Sequence, residues 1–214
     1  MANATLWKNV AIAMQSAIAA TKTITDITKA NPGVVSSTAH GYANGDIIYL
    51  DVQGMHQVNG RAVRVAGATT DSYQLEGVDT TLFDTFSSGT SAKVTMGTSI
   101  TTATSINGSG GDFDFEDTTT IHANQRTQVP KLPNPATYTM DNIWDITDAG
   151  QAACKAASDA QALRVFSFTF GTGGKKMYFA GYVGASLMPG GQAQGLVTTS
   201  IVITMFGSPT YYAS

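Results

Sequence analysis

Residues 142–183 constrain the fold most, because they hold a helical pattern followed directly by a hairpin pattern. Small apolar residues recur there at three- and four-residue steps, as in an amphipathic helix. Asp148 followed by Gln151 fits an N-terminal capping box, and Thr147 is an alternative cap. The stripe is nearly all alanine, which predicts a close approach of the helix to a sheet. The residues we assign to this helix–sheet packing are Ala149, Ala153, Ala156, Ala157, Ala160 and Leu163.

The segment after this helix predicts an antiparallel meander. Residues 164–170 alternate, with phenylalanines on one face and Val165, Ser167 and Thr169 on the other. A glycine-rich turn over 171–174 leads into a second alternating run, and a third follows at 196–206 before a short tail. Residues 1–20 fit either of two structures: Val10, Ile12, Met14 and Ile18 alternate as in a strand, whereas the alanines would also tolerate a helix. We favour the strand, because no helix cap precedes the segment. We therefore predict a mainly β protein of the α+β type, with an antiparallel sandwich or barrel and one flanking helix.

Composition limits the functional classes. Charged residues make up only 13% of the 214 residues, about half the usual share. A surface rich in Thr, Ser, Ala and Gly is typical either of a chain that contacts copies of itself or of a secreted β-protein. The net charge of −3 without a basic run argues against a sequence-reading nucleic-acid binder. The single cysteine, Cys154, excludes an internal disulfide, and no apolar run has membrane-spanning length.

Residues 23–94 differ from the rest of the chain in the length and spacing of their predicted strands. Short β runs are separated by Asn, Gly and Pro turns, which predicts a small all-β barrel inserted into a discontinuous domain of residues 1–22 and 95–214. The segment ITKANPGVVSSTAHGYANGDIIYLDVQGMHQVNGRAVRV resembles a small β-barrel module found inserted in phage structural proteins. That module is also similar to a barrel insert of ubiquitin-activating enzymes. That likeness implies a fold and no enzymatic residues.

Residues 95–111 read as a Thr/Ser/Gly linker or hairpin arm, and an acidic segment follows. Asp112, Asp114 and Glu116 share one face of a predicted strand, opposite two phenylalanines. The spacing lacks the glycine and glutamate of an EF-hand loop, so the segment is either a solvated acidic face or a weak cation site. A polar loop with three prolines is predicted after it.

No pattern of residues predicts catalysis. His40, His56 and His122 lack zinc-ligand spacing, and no Ser/His/Asp order is visible. We therefore predict that the protein is not an enzyme and that it binds no metal and no cofactor. Tyr211 and Tyr212 near the end are candidates either for inter-subunit anchors or for a capped terminus.

Three further stretches carry a family resemblance: FEDTTTIHANQRTQVPKLPNPATYTM, NIWDITDAGQAACKAASDAQA and FTFGTGGKKMYFAGYVGASL with VTTSIVITMFGSPT. With the N-terminal strand they cover residues 1–22 and 95–214. In order and spacing, this part of the chain resembles the major tail tube protein of long non-contractile-tailed, siphovirus-type bacteriophages.

The resemblance implies a structural subunit of the virion tail, assembled in the host cytoplasm. Hexameric rings would stack into a tube through which DNA passes, with Asp112, Asp114 and Glu116 as candidates to line the lumen. Partners would be other copies and the tape measure, tail tip and terminator proteins, without membrane insertion. A long hairpin or loop, in residues 99–111 or 112–135, would contact the next ring.

The inserted barrel would lie outside the tube, where it could contact a cell surface, and its deletion is predicted to leave tube formation intact. The alternative is a receptor- or carbohydrate-binding module of a tail or adhesin.

Overall fold

The computed structural model describes residues 7–171 and 174–213. That part of the chain forms fifteen strands and one α-helix. The elements are β1 Val10–Ile18, β2 Lys22–Ile24, β3 Asp26–Ile27, β4 Val34–Ser36, β5 Ile47–Gln53, β6 Ala62–Ala66, β7 Ser72–Leu75, β8 Ser88–Ile100, β9 Ala103–Ser109, β10 Phe113–Asp117, β11 Gln128–Pro133, β12 Thr137–Ile143, α1 Ala149–Asp159, β13 Leu163–Phe170, β14 Lys176–Gly184 and β15 Thr198–Tyr212. The prediction of a mainly β fold with one flanking helix is confirmed.

Thirteen of the strands form one continuous antiparallel sheet that curls on itself. Its order is β3-β4-β7-β6-β5-β8-β1-β13-β14-β15-β12-β9, and β2 also pairs with β8. The remaining two strands, β10 and β11, pair with each other and form a ribbon that is separate from the large sheet among the described residues.

The predicted meander β13-β14-β15 builds the centre of the main lobe, which we define as residues 7–22 and 95–213. Phe166 and Phe168 lie on one face of β13 and are fully buried. Phe179 of β14 stacks on Phe166 with ring centroids 5.6 Å apart and meets Phe168 edge-on at 5.2 Å. These rings pack with Met140, Ile201 and Ile203, so alternation in the sequence translates directly into the core of the lobe.

Residues 23–94, the inserted lobe, have a hydrophobic core of their own that includes Ile48, Leu50 and Tyr73. No residue of that core cluster comes from the main lobe, and none of the main-lobe cluster comes from 23–94. Strand β8 nevertheless crosses the predicted boundary without a break. Its residues 88–94 pair with β5, and its residues 94–100 pair with β1.

A third apolar cluster joins the two lobes. It brings Ile47 and Ala62 of the inserted lobe against Val165, Tyr178 and Ala180 on the back of β13 and β14. The main sheet is therefore buried on both faces at its centre, which explains why β13 is buried at Val165 and Ser167 as well as at its phenylalanines.

Helix α1 begins as the sequence predicts, with Asp148 as its cap. The Asp148 carboxylate accepts a hydrogen bond from the Gln151 backbone N–H at 2.8 Å. The Gln151 side chain is buried and donates to Thr102 Oγ1 at 2.8 Å and to the Ile143 carbonyl at 2.6 Å. A buried glutamine thus ties the first turn of the helix to two strand ends.

Three segments differ from their predicted structure. Residues 95–111 are the second half of β8 and strand β9, because Thr and Ser are accepted in strands even when the stretch is too polar to show an alternating pattern. The predicted proline-rich loop contains strand β11, where proline is tolerated because the ribbon has free edges. The predicted C-terminal tail continues β15 to Tyr212, past a bulge next to Gly207.

Candidate functional site

The described residues contain no cluster of three or more side chains that could hold a metal ion. His40 is buried in the inserted lobe, where its Nδ1 accepts from the Tyr42 backbone N–H at 3.0 Å. His56 and His122 are exposed on different lobes. In the same part of the chain, no helix has both the length and the apolar character that crossing a membrane requires.

The β10–β11 ribbon is the most conspicuous surface feature, because every residue in both strands is exposed. Its two faces differ chemically. One face carries Phe113 and Phe115 of β10, with Phe115 directly opposite Pro130 and Phe113 opposite Pro133 of β11. We call this the apolar ribbon face. Leu132 is 88% exposed and the two phenylalanines are about half exposed.

The opposite ribbon face is charged. Glu116 lies across from Val129 and forms an ion pair with Lys131. Asp117, which ends β10 on the same face as Phe115, lies 3.8 Å from Arg126, and hydrogen bonds from the Thr119 hydroxyl and backbone lower the pKa of its carboxyl. The candidate lumen residues Asp112, Asp114 and Glu116 therefore lie on or beside an exposed ribbon and not on the main sheet.

A cleft separates the ribbon from the body of the main lobe. It has a volume of about 680 Å³. Its apolar lining includes Phe113, Tyr138, Met205, Phe206 and Tyr211. We call it the ribbon cleft.

The two terminal tyrosines occupy different environments. Tyr211 is 68% exposed and lines the ribbon cleft, so it is available to a neighbouring molecule. Tyr212 is buried between the lobes, where its hydroxyl accepts a hydrogen bond from the Arg64 backbone N–H at 2.7 Å. The Arg64 guanidinium lies over the Tyr212 ring at 4.4 Å, and burial raises the pKa of the phenol. Within the single chain, Tyr212 is thus an anchor between lobes and not a surface residue.

The buried face of α1 also differs from the predicted alanine stripe. It consists of Gly150, Gln151, Cys154 and Ala157. Ala153 and Leu163 are half-buried, whereas Ala149, Ala156 and Ala160 are exposed. The helix has the predicted period, but the face that packs on the sheet is rotated towards Gly150 and Cys154.

Gly150 explains how the helix approaches the sheet so closely. A Cβ at this position would lie 2.5 Å from the Ser99 carbonyl oxygen and 2.9 Å from Ile100 Cα of β8. Ala156 and Ala153 instead line an open groove of about 310 Å³ beside β1. Burial of Cys154 behind this face raises the pKa of its thiol to about 12.

The comparison with known protein families decides what kind of protein carries these surfaces. The profile of the phage tail tube protein family matches residues 53–214, about three quarters of the chain. The chain belongs to this family. It is therefore a structural, non-enzymatic subunit of a bacteriophage tail tube and a component of the virion.

The match to the tail tube family begins inside the inserted lobe, in β5, and continues through all of the main lobe. No curated protein matches the chain. The tail tube subunit is a self-assembling protein, so its exposed apolar surfaces are candidate contacts with other copies.

Sequence reasoning missed several residues of these surfaces. Leu132 and Pro130 lie in strand β11, where the sequence predicts a loop, because prolines are rare in strands and obscure the β11 segment. Arg64 and Gly207 carried no signal, because they matter only through contacts between distant segments.

Proposed function

We propose that this tail tube subunit closes into hexameric rings that stack into a tube, and that the tube conducts DNA out of a long non-contractile tail. The observation that carries the proposal is the exposed β10–β11 ribbon of a chain in the tail tube family. The apolar ribbon face exposes Phe113 and Phe115 to water, which is unfavourable for a monomer, and burial against another copy would remove that unfavourable exposure.

Lateral closure of a ring would use a different part of the subunit. Strand β9 is the last strand of the sheet order, so one of its edges has no strand partner among the described residues. Its side chains are mostly exposed and uncharged. An edge of this kind can pair with a neighbouring copy, and each such contact is repeated around a ring.

The charge of the chain suits a DNA conduit. A net charge of −3 with few basic residues gives phosphates little to bind, whereas a lysine-lined channel would retain DNA through counterion release. We propose that Asp112, Asp114 and Glu116 contribute to the lumen wall. Tubes of the Asp112→Lys/Asp114→Lys variant should retain DNA in a salt-dependent manner, and unchanged DNA retention would place these carboxylates elsewhere.

The ring proposal is tested by electron microscopy of the purified protein at high concentration, together with sedimentation velocity. We expect hollow tubes or rings of uniform width with six-fold averages. Rings with another symmetry would correct the hexamer, and a compact trimer that binds glycans would favour the adhesin alternative.

The remaining partners follow from this assignment. We propose contacts with the tape measure, tail tip and terminator proteins at the ends of the tube, and assembly in the host cytoplasm. The inserted lobe covers the back of β13 and β14, so we place it on the outside of the tube, within reach of a cell surface.

A further inference from the structure

The sheet of the main lobe is open between β1 and β9. No ladder joins these two strands among the described residues, although both line one cavity of about 230 Å³. One wall consists of Trp7, Asn9, Val10 and Ile12, and the other consists of residues 103–106 of β9. None of these lining residues is charged. We call this cavity the β1–β9 slot.

The pairing of β12 shows which backbone groups of β9 border the slot. Alternate residues of an antiparallel strand direct their N–H and C=O groups to opposite sides. The Ile143 backbone N–H donates to the Thr102 carbonyl at 2.9 Å, so odd-numbered residues of β12 bond towards β9. They pair with odd-numbered residues of β9, such as Asn107. Ile106 and Gly108 therefore direct their N–H and C=O groups to the open edge, where no described strand pairs with them.

Val10 presents the same kind of groups on the opposite wall. The Phe170 backbone N–H donates to the Lys175 carbonyl at 2.9 Å, so even-numbered residues of β13 bond to β14 and odd-numbered residues bond to β1. Ala11 pairs with an odd-numbered residue of β13, so its neighbour Val10 points to the other edge of β1. Strand β8 covers that edge only from its pair with Ile12 onwards. Both walls of the slot thus offer unpaired backbone groups.

Strand β9 lacks the features that protect the other open edges against strand pairing. The edge strand β3 has only two residues. Strand β11 contains Pro130 and Pro133, which have no backbone N–H, and β10 carries Asp114 and Glu116. By contrast, β9 is seven residues long and contains neither a charged residue nor a proline. An unprotected edge of this length is suited to accept another strand.

We propose that an uncharged, extended segment of a second copy enters the β1–β9 slot and pairs with β9. The inference rests on the proposed function and specifies the lateral contact of its ring. The segment bonds to the backbone of Ile106 and Gly108 on one wall and reaches Val10 on the other.

A second copy is the occupant because the subunit assembles with itself and has few charged residues, 13% of the chain, so its segments match the uncharged slot. A charged segment would lose hydration in the slot without finding a partner of opposite charge. The slot and the inserted segment are different surfaces, so the contact is heterologous. Each copy can then accept one neighbour and enter the next, as closure of a ring requires.

Amide hydrogen exchange in the free subunit and in the assembled rings or tubes tests the pairing. We expect the amides of Ile106 and Gly108 to exchange fast in the free subunit and slower by about tenfold or more in the assembly. The Val10 amide should slow in parallel. Asn107 is the internal control, because its amide bonds to β12 and should be protected in both states.

The outcomes distinguish this inference from the proposed function. Protection of Ile106 and Gly108 in the assembly alone supports the insertion. Rings or tubes in which both amides still exchange fast overturn the insertion and leave the ring proposal standing. Protection already present in the free subunit would place a segment of the same chain in the slot and also overturns it. Failure of the unmodified protein to assemble at any concentration counts against both.

A proline at position 106 separates backbone pairing from side-chain packing. Ile106→Pro removes the N–H that faces the slot without breaking a hydrogen bond to β12. The control Ile106→Val keeps this N–H and most of the apolar contact with the main core. We expect the proline variant to need a protein concentration about tenfold or more above that of the valine variant for assembly. Equal assembly of the two folded variants overturns the proposal, and if the proline variant fails to fold, the exchange experiment on the unmodified protein decides.

Discussion

Gly150 shows how one missing side chain sets the distance between a helix and a sheet. The residue faces β8 so closely that a Cβ has no room beside the backbone at Ser99 and Ile100. In an unconstrained helix, replacing glycine by alanine stabilises by about 1 kcal/mol. A loss of stability on Gly150→Ala would therefore indicate that the helix lies too close to the sheet for a Cβ, whereas a gain would indicate free space.

We expect Gly150→Ala to lower the free energy of unfolding by about 1–3 kcal/mol, because the clash forces the helix away from the sheet. The matched control is Gly184→Ala, where an added Cβ meets only a carbonyl oxygen at 3.7 Å. Urea denaturation of both variants provides the measurement. A stabilised Gly150→Ala protein would contradict the packing described here.

Tyr212 makes a second single-residue contribution, at the contact between lobes. Its hydroxyl is the acceptor for the Arg64 backbone N–H, so Tyr212→Phe removes this hydrogen bond. We expect a loss of about 1–3 kcal/mol in the free energy of unfolding. The control Tyr211→Phe, at an exposed ring, should be neutral in the same chemical denaturation experiment. Equal effects of the two substitutions would refute the role of Tyr212 as the anchor.

At the scale of elements, α1 offers a test of its orientation. Ala157 is buried against the main core, whereas its neighbour Ala156 is exposed. We expect Ala157→Phe to cost about 1–3 kcal/mol through overpacking and Ala156→Phe to have a much smaller effect. Thermal unfolding of the pair measures the difference. A larger loss of stability for Ala156→Phe than for Ala157→Phe would mean that Ala156 belongs to the packed face, as the sequence pattern predicts.

Strand β8 is shared by the two lobes, so removing the inserted lobe also removes part of a strand that pairs with the main lobe. Replacing residues 23–94 by a short linker takes away half of β8 and uncovers Val165, Tyr178 and Tyr212. We therefore expect the shortened chain to lose solubility and thermal stability, contrary to the expectation from sequence alone. Polar substitutions at Val165 and Tyr178 should restore part of the solubility. A shortened chain that is soluble and assembles like the full protein would show that the lobe is dispensable.

At the scale of the whole molecule, the two hydrophobic cores are joined by a continuous strand and a shared apolar cluster. Opening one lobe exposes apolar surface of the other, so their unfolding is coupled. We expect a single calorimetric transition whose measured enthalpy equals the van't Hoff enthalpy. Two resolved transitions would mean that the lobes are energetically independent.

The amino-acid sequence by itself determined the mainly β class, the meander with its phenylalanine face, the Asp148 cap and the family. These features depend on local periodicity or on an ordered series of motifs, both of which are properties of neighbouring residues. The acidic strand and Tyr211 were likewise visible as candidate surface residues, because alternation and terminal position identify them without any long-range contact.

Only the tertiary structure decided which face of α1 packs, that Tyr212 is buried, and that the two lobes share β8. Each depends on contacts between residues far apart in the chain, such as Arg64 with Tyr212 or Gly150 with Ser99. The ribbon cleft has the same origin, because its lining combines residues of the ribbon with residues of β12 and β15, which are far apart in the sequence.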